Sequence, residues 1–558
     1  MDLRQAQTRE GLVNRTSIIR YTDHVPADLR RSWAAAGHYP DQDLYSLFRG
    51  HVRRAPQAPA VLDAEGTVSY GELDRTARRL AAGLAQLGVG PGDVVAVQLP
   101  NARLACAVDL AVAAVGAIVL PFPLGRGDRD AVSLLRRSEA VVVITVADHH
   151  GYPCAERIRK HADALPMLRA VVVAGDGVTG PPGCVPIEAL FAATSDEFAP
   201  REIDPDGPAR ILVTSGSEAE PKMVVYSHNA LAGGRGVMMA GLHRGTPASM
   251  RNLFLVPLAS AFGSSGTPVT LATLGGTLVL RPAFDAAATL RTIADTRPTH
   301  LLGVPTMLRM LLDCPELPDA DLGSLQAAVL GGSALDLDTA RRAEELLGCT
   351  VVSLYGSADG VSCNSGLGRY DGTVGRPDPA VADIRVVGQD GAELAAGATG
   401  EVVARGPMSP MSYLNSAELD STLRTADGWT RTGDLGLIDE RGRLRIVGRR
   451  KDVVIRGGLN ISPAEVESVL ITHPAVRDVA CVAVADPLYG ERVCACVATS
   501  AELSLAEVTA HLAAAGMEPR KFPERLVLLA GLPLSAAGKV DRQALRVLAA
   551  NEGSDATR

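Results

Sequence analysis

Between Leu212 and His228 the sequence reads LVTSGSEAEPKMVVYSH: a strand-forming apolar run breaks into Ser215, Gly216 and Ser217, two glutamates, and then Pro221-Lys222. A strand feeding small hydroxyl residues and a glycine offers backbone N–H groups and hydroxyls to a polyphosphate, and Lys222 adds a point charge. The spacing is not GxxxxGK[ST], so an ordinary Ser/Gly surface turn competes for these residues taken alone. Chemistry at a cysteine-bound metal is not expected. The nine cysteines (106, 154, 184, 314, 349, 363, 481, 494, 496) are scattered, and none has CxxC or Cys/His metal spacing, which reads as reduced core thiols.

The elements that must position this loop follow from pattern and length. A chain of 558 residues exceeds one compact core, so a large N-terminal unit and at least one smaller domain are expected. From about Tyr45 to Leu280, helical patterns alternate with β-branched runs such as DVVAVQLP, AVVVITV and RAVVVAG, and TLVLR and THLLGVPT continue the rhythm to Pro305. That alternation predicts βαβ units wound into a sheet. Beyond TVGRP, the segments ADIRVVGQDGAEL, GEVVARG and GRLRIVG predict a smaller β-rich subdomain ending near Gly448.

A compact α/β tail follows the charged GRRKD cluster. Ser462, Pro463 and Glu465 read as N-cap, first helical residue and capping box. The fold class is therefore α/β, divided into residues 1–450, a small C-terminal domain at 451–548, and a disordered tail at 549–558. The apolar run Leu110 to Pro121 is too short for a membrane span, which needs roughly 20 residues, and reads as a buried helix running into a strand. With a polar N-terminus and a net charge of -8 without basic runs, a cytoplasmic protein with small-molecule partners is expected, not one for nucleic acid or membrane.

The loop gains meaning from its companions. TSGSEAEPKMVVYSH resembles the TSGTTGxPKGVxxTH loop of the adenylate-forming superfamily of acyl-CoA synthetases, aryl-acid ligases and peptide-synthetase adenylation domains. In the same order come LYGSAD (YGxTE), GRP at 375 to 377, TGDLGLID, GRRKDVVIRGGLNISPAEVE (GRxKDxIxxxGxxIxPxEIE) and PLSAAGKVDR (PxTxxGKxxR). The resemblance spans residues 40 to 548 and its texture is nearest the aryl-acid ligases. It implies a ligase that joins ATP, with Mg²⁺, and a carboxylic acid into an adenylate, then passes the acyl group to the thiol of CoA or of a phosphopantetheinyl carrier protein. In that framework Thr214, Ser215, Gly216, Ser217 and Lys222 hold phosphate. Gly331, Gly332, Ser333, Tyr355, Gly356 and Ser357 border the adenine, Asp434 and Arg449 the ribose, and the tail carries the catalytic Lys539. Lys451 falls at the hinge on which the tail is expected to move, and Asp359 stands where the family has a Mg²⁺-binding glutamate.

Departures from the family pattern bear on the substrate. Glu218 and Ala219 replace a threonine and a glycine, and both Glu218 and Glu220 are expected to face solvent, so ATP is not excluded. The acid-binding segment is read as PLASAFGSSGTP, Pro257 to Pro268. Ser260-Ala261 lacks both the aspartate that would pair an α-amino group and the His-Asn of catechol and salicylate ligases. A substituted benzoate, cinnamate or alicyclic acid is expected against Ala259, Ser260, Ala261, Phe262, Gly332, Ser333, Ser357 and Cys363. Two alternatives accompany this reading: an ATP-dependent relative that activates nitrite toward an aryl amine, and a non-catalytic nucleotide-binding relative.

Overall fold

The computed structural model of the chain describes residues 21–175, 180–192, 198–214, 221–456, 459–535 and 538–552. Two eight-stranded sheets form the large unit. In the first, strands Ala170–Ala174, Val142–Val146, Val94–Gln98, Ile118–Pro121 and Pro208–Val213 run parallel, and Met223–Ser227 turns back antiparallel beside Pro208–Val213. These strands are almost fully buried, as continuous β-branched runs covered on both faces require. The second sheet sets Arg251–Phe254, His300–Gly303, Ala327–Gly331 and Thr350–Ser357 side by side in parallel. Its strand ends carry the glycine-rich turns that matter below.

The expected helix-then-strand at Leu110 to Pro121 is present as helix Arg103–Ala114 and strand Ile118–Pro121. Among the described residues no helix is long and apolar enough to cross a membrane. All nine cysteines are free and buried.

The β-rich segment forms an antiparallel four-stranded sheet of Asp383–Val387, Gly400–Arg405, Thr430–Ile438 and Leu444–Arg449. Thr430–Ile438 was legible only as the TGD motif, because its polar TRTGD opening hides the strand. The tail pairs Asp478–Asp486 with Gly490–Ala498, adds Arg525–Leu529 in parallel, and backs them with helices Pro463–Leu470 and Leu505–Ala514.

Two expectations for the tail need correction. Ser462 is the N-cap of Pro463–Leu470 but makes no side-chain cap; its hydroxyl donates to the Val447 carbonyl, while Glu465 accepts from Lys521 Nζ at 2.6 Å. The hydroxyl thus ties the tail to the preceding strand instead of closing a capping box. Residues 549–552 are not disordered: helix Arg542–Glu552 runs through them, and Ala549 packs with Ala480, Val482 and Leu545. Burial of that apolar stripe outweighs the polar composition that suggested a loose end; residues 553–558 lie outside the described residues.

Candidate active site

Thr214 directly follows the strand Pro208–Val213, and Lys222 precedes Met223–Ser227. The Thr214 N–H donates to the Lys222 carbonyl at 3.0 Å and the Lys222 N–H donates to Thr214 Oγ1 at 3.1 Å. This reciprocal pair closes the base of the loop, whose Ser215, Gly216, Ser217, Glu218, Ala219 and Glu220 lie outside the described residues. Arg126 donates to the Thr214 carbonyl at 3.3 Å and Arg137 to the Pro221 carbonyl at 3.0 Å. Both ends of the loop are therefore held by arginine side chains, one of which, Arg126, also faces Asp130 at 3.6 Å.

The Lys222 ammonium stands 5.6 Å from the centre of the Tyr413 ring. Tyr413 in turn donates its hydroxyl to Asp359 Oδ1 at 2.6 Å, and Ser357 Oγ donates to Asp359 Oδ2 at 2.6 Å. Asp359 is buried and makes no ion pair among the described residues. A carboxylate held there by two hydroxyls and in no ion pair with a described residue is a fitting oxygen ligand for a hard divalent ion that keeps most of its waters.

Register brings the next group together. Asp434 on Thr430–Ile438 lies directly across from Arg449 on Leu444–Arg449, and Arg449 Nε pairs with Asp434 Oδ1 at 2.9 Å. Tyr355, near the end of Thr350–Ser357, donates to Asp434 Oδ2 at 2.7 Å. Burial pushes the Asp434 carboxyl up while Arg449 and the Tyr355 hydroxyl draw it down. The Tyr355 phenol is held well above its ordinary range by burial and by the Asp434 charge.

The strand Ala327–Gly331 delivers the GGSA turn. Gly331 meets the Phe262 ring, since a Cβ added there would lie 3.6 Å from Phe262 Cε1. Gly332 takes a φ of +90°, and a Cβ on it would come within 3.2 Å of Lys539 Cε. The tail thus lays its lysine over the turn. Burial lowers the Lys539 pKa, Arg449 lowers it further, and Asp434 opposes both.

A family model described as AMP-binding enzyme matches residues 48–414, and one described as AMP-binding enzyme C-terminal domain matches residues 465–539. The chain belongs to the AMP-binding enzymes. Among curated relatives of this AMP-binding enzyme, the 2-hydroxy-7-methoxy-5-methyl-1-naphthoate–CoA ligase of Streptomyces carzinostaticus is 34% identical over 548 residues, covering 94% of this chain and 96% of the relative. The salicyl-AMP ligase / salicyl-S-ArCP synthetase of Mycobacterium tuberculosis is 32% identical, with 93% of each chain covered. Among solved structures, ATP-bound MatB from Rhodopseudomonas palustris superposes with a TM-score of 0.79 at 28% identity, covering 91% of this chain and 99% of that one. These relatives are named as ligases or bind ATP, and the α/β architecture of the AMP-binding enzymes is the one described above.

The acid segment of this AMP-binding enzyme is less regular than its sequence suggests. Leu258 to Phe262 leads into a tight turn at Gly263–Ser265 and a π-helix at Gly266–Thr273, a form of helix often found at functional sites. Ala259, Ser260, Ala261 and Phe262 are each partly exposed, and Ser260 Oγ accepts from the Gly263 N–H at 3.0 Å, pinning the turn. Cys363 is the exception among the expected pocket residues. It is 3% exposed, lies across the ladder from Tyr355, and donates its S–H to the Val374 carbonyl at 3.1 Å, so it backs the Tyr355 wall from the core. Lys451 sits exposed in the turn Arg450–Asp452 that joins the β-rich sheet to the tail.

Sequence reasoning missed Tyr413. Tyr413 reaches Asp359 across 54 residues of sequence, and no motif links them.

Proposed function

We propose that this AMP-binding enzyme activates an aryl carboxylic acid with ATP and then transfers the aroyl group to a thiol, of CoA or of a carrier-protein phosphopantetheine, in the cytoplasm. The observation that carries this reading is Lys539 of the tail lying over Gly332, in the field of the Asp434–Arg449 pair. A carboxylate oxygen of the acid attacks the α-phosphorus and pyrophosphate leaves; the thiol sulfur then attacks the acyl carbon, AMP leaves and the thiol proton passes to solvent. The first step needs charge neutralisation and alignment more than covalent help.

Under this reading Lys222 and the loop 214–217 hold the phosphates, and Tyr355 with the turn at 331–334 borders the adenine. Asp434 and Arg449 face the ribose, and Lys539 steadies charge at the carboxylate and α-phosphate. Asp359 would hold Mg²⁺, which supplies charge neutralisation on the phosphates. Residues 1–450 act as the ATP- and acid-binding domain, with the tail swinging about Lys451 between half-reactions. Similarity to naphthoate and salicyl ligases supports the aryl class; neither the relatives nor the site supports a nitrite-activating or a non-catalytic reading.

The test is ATP–pyrophosphate exchange over a panel of substituted benzoates, cinnamates and naphthoates, followed by addition of CoA or a loaded carrier protein. Acid-dependent exchange with thiol-dependent AMP release is expected. Exchange that ignores every acid, or acid-dependent exchange with no transfer to either thiol, would sink the corresponding half.

A further inference from the structure

Arg542, shortly after Lys539 in the chain, opens the terminal helix Arg542–Glu552, and its guanidinium forms a bidentate pair with Glu467 of helix Pro463–Leu470. Nη1 lies 2.8 Å from Oε1, and Nη2 donates to Oε2 at 3.0 Å. Both side chains also grip the main chain of Cys481, on the strand Asp478–Asp486. The Cys481 N–H donates to Glu467 Oε1 at 2.7 Å, and Arg542 Nη1 donates to the Cys481 carbonyl at 2.6 Å. One turn along the same helix, Arg546 Nη2 donates to Asp452 Oδ1 at 3.2 Å. Asp452 follows Lys451 in the turn Arg450–Asp452 that joins the β-rich sheet to the tail. Burial alone would lower the Arg542 pKa, but the Glu467 and Asp452 charges raise it above its ordinary value. Two cations and two anions thus form one cluster between the connecting turn and the helix that follows Lys539.

The backbone at Lys539 is fastened to that helix. Asp541 Oδ1 accepts from the Gln543 and Ala544 N–H groups at 3.0 Å each, which sets the helix start. The Asp541 N–H donates to the Pro533 carbonyl at 2.8 Å, and the Ser535 N–H donates to the Lys539 carbonyl at 2.6 Å. Val540 packs against the small core that holds Leu545 and Ala549. The helix therefore fixes the lysine's backbone, and Glu467 and Asp452 fix the helix. A lysine carries its charge on a flexible four-carbon stem, so the seating of its backbone decides how well the ammonium is aimed.

We propose that Arg542 and Arg546 are positioning residues: through Glu467 and Asp452 they make helix Arg542–Glu552 a strut between the connecting turn and Lys539, which sets how the lysine is presented to Gly332. This rests on the reading of Lys539 as the lysine that steadies charge at the carboxylate and α-phosphate, and of Lys451 as the pivot.

The experiment is a double-mutant cycle in the full-length enzyme: wild type, Arg546→Met, Lys539→Ala and the double variant. Adenylate formation is read as pyrophosphate release with benzoate, cinnamate or 1-naphthoate, whichever reacts fastest. Arg546→Met should lower kcat at least fivefold in the wild-type background, with KM for ATP and for the acid within twofold. In the Lys539→Ala background the same substitution should cost less than twofold, because a residue that acts through the lysine then has nothing to position. Glu467→Gln, which weakens the grip on Arg542, should show the same non-additivity, and Arg546→Lys should keep part of the rate. Equal factors in both backgrounds would mark the cluster as general support for the fold and overturn the proposal. So would an Arg546→Met enzyme with wild-type kcat.

Amide hydrogen exchange keeps the strut separate from the catalytic reading. If Lys539→Ala leaves adenylate formation unchanged, the role given to the lysine falls. The peptide covering Lys539 should still exchange at least fivefold faster in Arg546→Met than in wild type, while peptides of the strand Pro208–Val213 do not change. Equal protection at Lys539 would overturn the strut.

Discussion

Arg309 Nη2 donates to Asp478 Oδ1 at 3.0 Å, joining helix Pro305–Leu312 of the large unit to the first long strand of the tail. Thr306 Oγ1 adds a bond to Asp478 Oδ2 at 3.2 Å, and Asp336 stands 3.8 Å from Arg309 Nη1 on the far side. One residue along the same helix from Thr306, Met307 lies against Gly538: a Cβ there would come 3.5 Å from Met307 Cε. The pair thus holds the tail where Lys539 meets Gly332.

Breaking this contact should slow the half-reaction that uses Lys539. The pair is mostly shielded, with side chains 18% and 16% exposed, so its loss is expected to cost roughly 1–2 kcal/mol, or about tenfold. Adenylate formation by Arg309→Met or Asp478→Asn, followed as pyrophosphate release, should fall by that factor while thiol transfer from preformed adenylate does not. A double charge swap should recover part of the loss; equal slowing of both half-reactions would argue against a pose-specific contact.

Lys539→Ala should reduce adenylate formation by about a hundredfold or more with the fold intact, since a charge aimed at a developing transition state is removed. The pH profile gives a sharper readout. Burial and Arg449 lower the lysine below its ordinary 10.5, so the ammonium is lost, and exchange declines, at a pH where a free lysine is still charged. Lys539→Arg should move that alkaline limb upward, and an unmoved limb would detach it from Lys539.

At Asp359, removing the charge should weaken the Mg²⁺ dependence assigned to it. Asp359→Asn should raise the Mg²⁺ needed for half-maximal exchange at least fivefold. Tyr413→Phe deletes one of the two hydroxyls on the carboxylate, leaves a buried acceptor short of a donor, and should cost about 1–3 kcal/mol of stability, read by denaturant unfolding. An Asp359→Asn enzyme with an unchanged Mg²⁺ curve would remove the metal role.

Ala261→Asn tests the substrate segment. An ortho-hydroxyl could gain a hydrogen bond worth roughly 0.5–1.5 kcal/mol, while the native acid meets crowding of about 1–3 kcal/mol. The kcat/KM ratio for salicylate over the native acid should rise at least tenfold; no change would mean that residue 261 does not face the pocket.

Acid sensitivity should come in part from His300, which is fully buried, bonded through Nε2 to the Leu242 carbonyl at 2.8 Å, and held at about 4 against an ordinary 6.5 by desolvation. Its folded pKa is depressed, so the neutral ring's contribution is complete above pH 6.5 and is lost as pH falls toward 4, where the unfolded chain takes up the proton first. The gap is worth roughly 3 kcal/mol. Unfolding free energy should drop across that window, and His300→Gln should flatten the drop.

Local pattern was enough for the outline. The alternation of helices and β-branched runs, the glycine-punctuated strands after TVGRP, and the tail's strand pair are written in residue periodicity, which acts within a few turns of chain. The order of the motifs likewise sufficed for the family. The local reading failed where a side chain had a choice of partner: Ser462 bonds Val447 rather than its own helix, and helix Arg542–Glu552 continues because Ala549 finds a core.

What only the tertiary structure decided is which distant groups meet. The bonds of Tyr413 to Asp359, Tyr355 to Asp434 and Arg309 to Asp478 join residues 54, 79 and 169 positions apart. The first two depend on how the strands and loops of the large unit are set against one another, the third on the seating of the tail, and neither arrangement leaves a periodic trace in the chain. The same holds for Arg210, which is buried and pairs with Asp109, 101 positions away, at 2.8 Å. A sequence displays a charge, but only packing shows that the charge is buried and what stands, or fails to stand, opposite it.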